Sequence, residues 1–227
     1  SYGHGACVEQ DDKGWDARKR AYCLKIQPAT GSFARNLIYS TKPNQRAKLA
    51  EEDKKNIAAA AARLIKPGDS LFIDFGTTTL EFTKIISSIP QVTVFTNSPV
   101  IANLFHESAT TDLILIGGQF GLSKMECVGP VTLQAISSFY ADYAIIGAGA
   151  ISPELGVMDQ DINEAAVARQ MIKQSNHSVV LADGHKLDSR ATSNVAHWKE
   201  INCLVTTDPD NKLKKLPFPG HLRIIVA

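Results

Sequence analysis

The chain lacks the features that mark membrane, secreted and metal-binding proteins. No apolar run approaches the roughly 20 residues that a transmembrane helix needs, and the first residues contain no apolar segment of the secretory type. The cysteines Cys7, Cys23, Cys127 and Cys203 form no Cys-x-x-Cys pair, and the histidines do not stand at the spacing of a zinc site. We therefore expect a cytoplasmic protein with reduced thiols, without membrane contact, metal or other cofactor.

The chain also carries little excess charge of either sign. Its 24 Lys and Arg residues against 23 Asp and Glu residues leave a formal net charge of +1. Proteins that bind nucleic acid over a wide surface usually have a clear basic excess, so the composition does not indicate such a surface here. An apolar fraction of 44% with 21% charged residues is ordinary for a globular protein.

Glycine and proline divide the chain into two parts. Residues 1–43 contain no long periodic segment and are expected to form a linker or arm. From residue 44 a helical pattern runs to Pro67-Gly68, and short apolar runs then alternate with helical patterns to the C-terminus. Continuous apolar runs are typical of strands covered on both faces, and their alternation with helices predicts a parallel sheet with right-handed crossovers. We therefore predict an α/β fold with a doubly wound, mostly parallel sheet.

The most informative segment is Asp74-Phe75-Gly76-Thr77-Thr78-Thr79, which lies between an apolar run and a helical pattern. In a parallel sheet, ligands bind beyond the carboxyl ends of the strands. Free N–H groups and the helix dipole favour an anion at such a turn, and threonine hydroxyls add donors. An ordinary capped turn would have the same residues. The other strand ends are also small, hydroxylic or acidic, and they favour the anion site.

Three residues near these strand ends have more than one interpretation. Lys186 is the one long cation among the loops, and it is either a solvated lysine or a point charge for phosphate. Asn97 precedes Ser98-Pro99, which is explained by the start of a helix alone. Glu164 follows the capping residue Asp161 in a predicted helix and faces either the loop cluster or solvent.

Several common nucleotide and catalytic motifs are excluded. Gly147-Ala148-Gly149 follows a predicted strand as a dinucleotide fingerprint would, but Pro153 and Gly156 come next and no helix begins there. The chain contains no phosphate-binding Gly-x-x-x-x-Gly-Lys-[Ser/Thr] motif and no Gly-x-Ser-x-Gly nucleophile motif.

Taken together, motifs in a fixed order make residues from about 44 to 227 resemble the C-terminal effector-sensing domain of DeoR-family bacterial transcription regulators. The opening Tyr2-Gly3-His4-Gly5-Ala6 also looks like the signature that closes the family's N-terminal winged helix-turn-helix. By this resemblance, residues 1–43 would be the end of a DNA-binding domain missing from this chain, followed by a linker. The segments that carry the resemblance are 54–58, 74–79, 94–98, 115–118, 128–130, 164–169 and 181–186.

The resemblance implies a fold similar to that of ribose-5-phosphate isomerase and a phosphorylated sugar as the effector. It also implies DNA binding through a helix-turn-helix not present in this chain, and a homo-oligomer, either a dimer or a tetramer. In the family pattern, phosphate binds at residues 76–79 with Asp74 bracing the loop, and Asn97, Glu164 and Lys186 surround the sugar. The ligand-binding residues that we predict are Asp74, Gly76, Thr77, Thr78, Thr79, Asn97, Gly147, Glu164 and Lys186.

The chain departs from the family at Gly149-Ala150, where many members carry Asp-Gly. Isomerases of this fold need carboxylates to move protons, so the departure argues against enzymatic activity. We predict the sensing domain of a regulator, a repressor, with no catalytic residues. The alternative is a sugar-phosphate isomerase in which Glu164 is the general base and Lys186 the electrostatic stabiliser.

Overall fold

The computed structural model describes residues 45–108 and 110–227, and the side chains of these from residue 50 onward. The prediction for residues 1–43 lies outside the described residues. Helix α1 (Gln45–Ala62) comes first. Its residues Ile57, Ala58 and Ala61 recur on one face and are fully buried, while Glu51 and Lys55 form an ion pair on the exposed face. None of the described helices is long and apolar enough to cross a membrane.

The central sheet has seven strands, all paired in parallel, in the order β12-β11-β9-β6-β1-β2-β3. The chain begins at β1, builds outward through β2 and β3, and then returns to the other side of β1 to add β6, β9, β11 and β12. This order confirms the predicted doubly wound, mostly parallel sheet. The strands are β1 (Ser70–Ile73), β2 (Thr93–Thr96), β3 (Asp112–Leu115), β6 (Ala141–Gly147), β9 (Ser175–Ala182), β11 (Cys203–Thr206) and β12 (Arg223–Val226).

The other strands form two small antiparallel sheets. Strands β4 (Gln119–Gly121) and β5 (Glu126–Val128) make a hairpin. Strands β7 (Ala150–Ser152), β8 (Gly156–Asp159) and β10 (Ser193–Ala196) form a three-stranded sheet with β8 in the middle. The remaining helices are α2 (Thr77–Ile86), α3 (Pro99–Ala102), α4 (Pro130–Ile136) and α5 (Ile162–Lys173), and single 3₁₀ turns cover Asn103–Phe105, Gly184–Lys186, Trp198–Glu200 and Leu213–Lys215.

The central sheet is covered on both faces, as its continuous apolar runs predict. In β1, Phe72 belongs to one buried apolar cluster, whereas Leu71 and Ile73 belong to another. Successive side chains of a strand point to opposite faces, so these two clusters are the cores on the two sides of the sheet. Helix α5 contributes to the first core through Ala165, and helix α2 to the second through Phe82.

Candidate functional site

A cleft lies where the winding direction of the sheet changes. Strands β1 and β6 are neighbours, yet the chain leaves β1 toward one edge of the sheet and β6 toward the other. The crevice beyond the carboxyl ends of such strands is the usual ligand site of a doubly wound fold. The cleft here has a volume of about 200 Å³ and is lined by Asp74, Phe75, Gly76, Thr77, Thr78, Gly147, Ala148, Gly149, Asp159, Glu164, Ala168, Lys186 and Val195.

One wall of the cleft is the N-terminus of α2, and no side chain of the described residues caps it. The capping position is Gly76, which has no side chain, and the hydroxyl of Thr79 donates to the Gly76 carbonyl over 2.9 Å. The first N–H groups of a helix have no partner within the helix, and its dipole is positive at this end. Because Gly76, Thr77 and Thr78 line the cleft, this wall is chemically suited to an anion.

Asp74 begins the loop between β1 and this helix, and its side chain is buried at 7% exposure. Loss of solvent raises the pKa of Asp74 well above its ordinary value, and the nearby carboxylates of Glu126 and Asp159 raise it further. Backbone N–H groups of Phe75 and Gly147 oppose the shift. The shift favours the neutral form of Asp74, which lessens the repulsion that an anion at the α2 N-terminus meets.

Lys186 brings a cation to the cleft from the end of β9. Asp183 begins the 3₁₀ turn Gly184–Lys186 by accepting the N–H of His185. The Lys186 ammonium donates to the Ala148 carbonyl over 2.5 Å and lies 4.0 Å from the Asp183 carboxylate. Burial lowers the pKa of Lys186. This lysine is partly buried in the cleft wall, and its role as a point charge for phosphate stays a prediction.

The opposite wall is acidic and comes from β8 and α5. Asp161 caps α5 by accepting N–H groups of Asn163 and Glu164, at 2.8 and 3.4 Å. Glu164, in the first turn, forms an ion pair with Lys124 from the β4–β5 hairpin, and Lys124 also lies 3.5 Å from Asp161. Asp159 ends β8 and accepts the Asp161 N–H over 3.0 Å. The cleft therefore joins one helix N-terminus that is open to one that is capped and acidic.

The structure brings most of the predicted ligand-binding residues together. Asp74, Gly76, Thr77, Thr78, Gly147, Glu164 and Lys186 line the one cleft.

The other two predicted residues, Thr79 and Asn97, are fully buried and are not among the residues that line the cleft. The Thr79 hydroxyl donates to the Gly76 carbonyl at the start of its own helix. The Asn97 amide donates to the Cys127 carbonyl over 2.9 Å and to Glu126 over 3.3 Å. Among the described residues, no group donates to the buried Asn97 Oδ1 atom. The contacts thus explain Thr79 structurally and Asn97 only in part, and a ligand role for both stays a prediction.

Sequence reasoning missed Asp159, which lies against Gly149. A Cβ atom at position 149 would approach the Asp159 Cα and Oδ2 atoms to 3.1 and 3.2 Å. A side chain at position 149 would thus press on Asp159, and an aspartate would place two carboxylates side by side. The departure at Gly149 therefore does not leave this wall without a carboxylate, since Asp159 supplies one from β8.

A model of the family described as the DeoR C-terminal sensor domain matches residues 49–208 of the chain. The chain is 32% identical to the HTH-type transcriptional repressor GlcR of Bacillus subtilis, over 71% of this chain and 62% of that protein. It is 30% identical to the glycerol-3-phosphate regulon repressor of Haemophilus influenzae, over 68% of this chain and 60% of that protein. It is 26% identical to the HTH-type transcriptional repressor CsqR of Escherichia coli, over 86% of this chain and 76% of that protein. The chain thus spans less than two thirds of the first two relatives named here.

Two kinds of solved structure are similar to the chain at low identity. The Pyrococcus horikoshii translation initiation factor eIF-2B has a TM-score of 0.49 at 17% identity, over 81% of this chain and 76% of that one. Ribose 5-phosphate isomerase A from Methanocaldococcus jannaschii has a TM-score of 0.43 at 18% identity, over 59% of this chain and 53% of that one.

Proposed function

The chain belongs to the DeoR family as a C-terminal sensor domain, and we propose that its cleft binds a phosphorylated sugar as the effector of a transcriptional repressor. The observation that carries the proposal is the open N-terminus of α2 facing a cleft that also holds Lys186. Backbone N–H groups with a lysine nearby are a recurrent way to bind phosphate.

The size and polarity of the cleft also support a compact, hydrophilic ligand. Its volume of about 200 Å³ lies below the roughly 300–1,000 Å³ of pockets that bind drug-sized molecules. Hydroxyl, amide and carboxylate groups line it, and carboxylates are suitable acceptors for sugar hydroxyls. The name of the Haemophilus influenzae relative refers to glycerol 3-phosphate, a small phosphorylated polyol.

In the whole regulator, we propose that effector binding changes the affinity for DNA. The relatives are named as repressors, so DNA contact would come from a helix-turn-helix preceding residues 1–43, with the sensor domain at 44–227 and the whole regulator acting in the cytoplasm. Coupling of this kind typically amounts to about 1–3 kcal/mol, and it is reciprocal. A homodimer or homotetramer would supply the alternative subunit arrangements that the effector selects.

A ligand panel tests the proposal directly. Thermal unfolding and titration calorimetry of the purified chain are measured with phosphorylated sugars and polyols and with the same compounds lacking phosphate. A ligand at 100 times its Kd should add about 2.7 kcal/mol to the free energy of unfolding. We expect stabilisation by at least one phosphorylated compound and not by its unphosphorylated parent. If no phosphorylated compound stabilises the chain, the proposal is wrong.

An isomerase is the alternative function, and Asp159 and Glu164 are the carboxylates it would use. The family is one of sensor domains, and the relatives are named as repressors, which favours binding without turnover. Incubation with ribose 5-phosphate checks this. Conversion that disappears in Glu164→Gln would favour the enzyme.

A further inference from the structure

The two walls of the cleft differ in charge, and this difference bears on the chemistry of the ligand. The α2 wall offers backbone N–H groups, whereas the opposite wall carries Asp159 and Glu164. The phosphate of the proposed effector would add between one and two further negative charges at neutral pH. A sugar phosphate with no positive group would therefore add no charge compensation to the acidic wall.

The cations near the acidic wall already have partners. Lys124 is held between Glu164 and Asp161. Lys186 donates to the Ala148 carbonyl and lies near Asp183. Among residues 50–108 and 110–227, no group of histidine, cysteine, aspartate and glutamate side chains could hold a metal ion. Within the described part of the chain, one carboxylate of the acidic wall thus has no ion pair of its own.

That carboxylate belongs to Asp159. Its Oδ1 atom accepts the Asp161 N–H, and no lysine, arginine or histidine of the described residues forms an ion pair with it within 4.0 Å. At longer range, its charge opposes the lowering of the Lys186 pKa by burial. Its Oδ2 atom lies beside Gly149, at 3.2 Å from where a Cβ atom would be. Both residues line the cleft. The missing side chain at position 149 therefore leaves Oδ2 open toward the cleft.

We propose that the effector is an amino sugar phosphate, whose phosphate binds at the N-terminus of α2 and whose ammonium group binds Asp159. This inference rests on the proposed function and identifies the class of sugar. A hydroxyl group would also donate to Asp159, but it would not neutralise the carboxylate. An ammonium group does both, and a charge-assisted hydrogen bond is roughly twice as strong as a neutral one.

Matched pairs of ligands test the inference. Titration calorimetry compares glucosamine 6-phosphate with glucose 6-phosphate, and galactosamine 6-phosphate with galactose 6-phosphate. Within a pair, the ligands differ only by an amino group in place of a hydroxyl. We expect at least one amino sugar phosphate to bind about 10- to 100-fold more tightly than its partner. If all ligands bind but each pair agrees within about threefold, the inference is wrong and the proposed function stands. If no phosphorylated compound binds, the proposed function itself fails.

A substitution tests whether Asp159 causes the preference for the amino sugar phosphate. Asp159→Asn keeps the size of the side chain and an oxygen that accepts the Asp161 N–H, but it removes the charge. We expect the ratio of the two Kd values in a pair to fall to within about threefold of one. Glu107→Gln removes the same charge at an exposed position outside the cleft lining and should keep the wild-type ratio. A wild-type ratio in Asp159→Asn would contradict the assignment. The ligand pairs on the unaltered chain decide the inference even if this variant does not fold.

Discussion

The two helices that meet at the cleft, α2 and α5, begin in opposite ways. Helix α5 satisfies its first N–H groups with Asp161 and carries Glu164 in its first turn. Helix α2 has Gly76 at its capping position and no side-chain cap among the described residues. A side-chain cap stabilises a helix by about 1 kcal/mol. Helix α5 has this contribution to its stability, and α2 lacks it. The difference supports the proposal that the open N-terminus serves binding, whereas the capped one serves folding.

Placing a negative charge on the open N-terminus should have the largest effect. Thr77 is the first residue of α2 and is exposed. In Thr77→Glu, the carboxylate should compete with phosphate for the same N–H groups, and two charges about 4 Å apart repel by about 4 kcal/mol at an effective dielectric constant of 20. We expect the Kd for the tightest sugar phosphate of the panel to rise at least about 100-fold.

Thr77→Gln, which has the same size without the charge, is the matched control and should change the Kd by less than about tenfold. Thr77→Glu should unfold at the same temperature as the control or higher, because an acid in the first turn favours the helix. Equal affinities of the two variants for the sugar phosphate would contradict an anion site at α2.

The second prediction concerns a buried carboxyl beside the α2 wall. Burial raises the pKa of Glu126 to about 7, against the lowering by its bond from Asn97 and by Lys124. A carboxyl whose pKa is higher in the folded state binds more protons there than in the unfolded state, so stability falls as pH rises from about 4.5 to 7. Glu126→Gln should remove this fall. We expect the variant to gain about 2 kcal/mol relative to the wild type between pH 4.5 and pH 8.

Urea denaturation at both pH values measures this gain. The matched control is Glu107→Gln, whose side chain is exposed at 86% and should show no such gain. A constant difference between Glu126→Gln and the wild type at all pH values would mean that Glu126 is not protonated in this range.

Removing the cap of α5 should change the free energy of unfolding by less than the pH-dependent effect expected for Glu126→Gln. Asp161 accepts two backbone N–H groups of α5, and Asp161→Ala should lower the free energy of unfolding by about 1 kcal/mol. The matching change at the start of α2, Thr77→Ala, removes no cap and should stay within about 0.5 kcal/mol of the wild type. Urea denaturation compares the two variants. If Asp161→Ala and Thr77→Ala lowered the free energy of unfolding equally, the two helix N-termini would not differ in capping.

The contrast between the two walls also explains what the sequence could predict. The α2 wall was predictable because Asp74, Gly76 and Thr77 are contiguous and follow a strand of a parallel sheet. Asp159 was missed because β8 belongs to a small antiparallel sheet. The expectation that ligands bind beyond the carboxyl ends of strands holds for parallel sheets.

Two side-chain contacts of residues outside the cleft lining could not be predicted for a different reason. The contact of Lys124 with Glu164 joins residues 40 positions apart, and no local pattern encodes it. Asn97 fits the strand-end rule, yet its amide holds β5 through the Cys127 carbonyl. Which polar residues at strand ends hold the scaffold together thus depends on contacts that arise only after folding.

The smallest effect is expected for the ion pair that joins the β4–β5 hairpin to α5. Lys124 is 44% exposed, so water and salt screen its interactions with Glu164 and Asp161. Exposed pairs contribute about 0.2–1 kcal/mol, and Lys124→Met should lie in that range, below the cost of Asp161→Ala. Because salt weakens such pairs, the loss measured by urea denaturation should shrink between low salt and 1 M NaCl, whereas the loss in Asp161→Ala, mostly a hydrogen-bonded cap, should persist. A larger loss in Lys124→Met than in Asp161→Ala would mean that α5 depends on the hairpin more than on its own cap, and the comparison of two self-contained helix N-termini would fail.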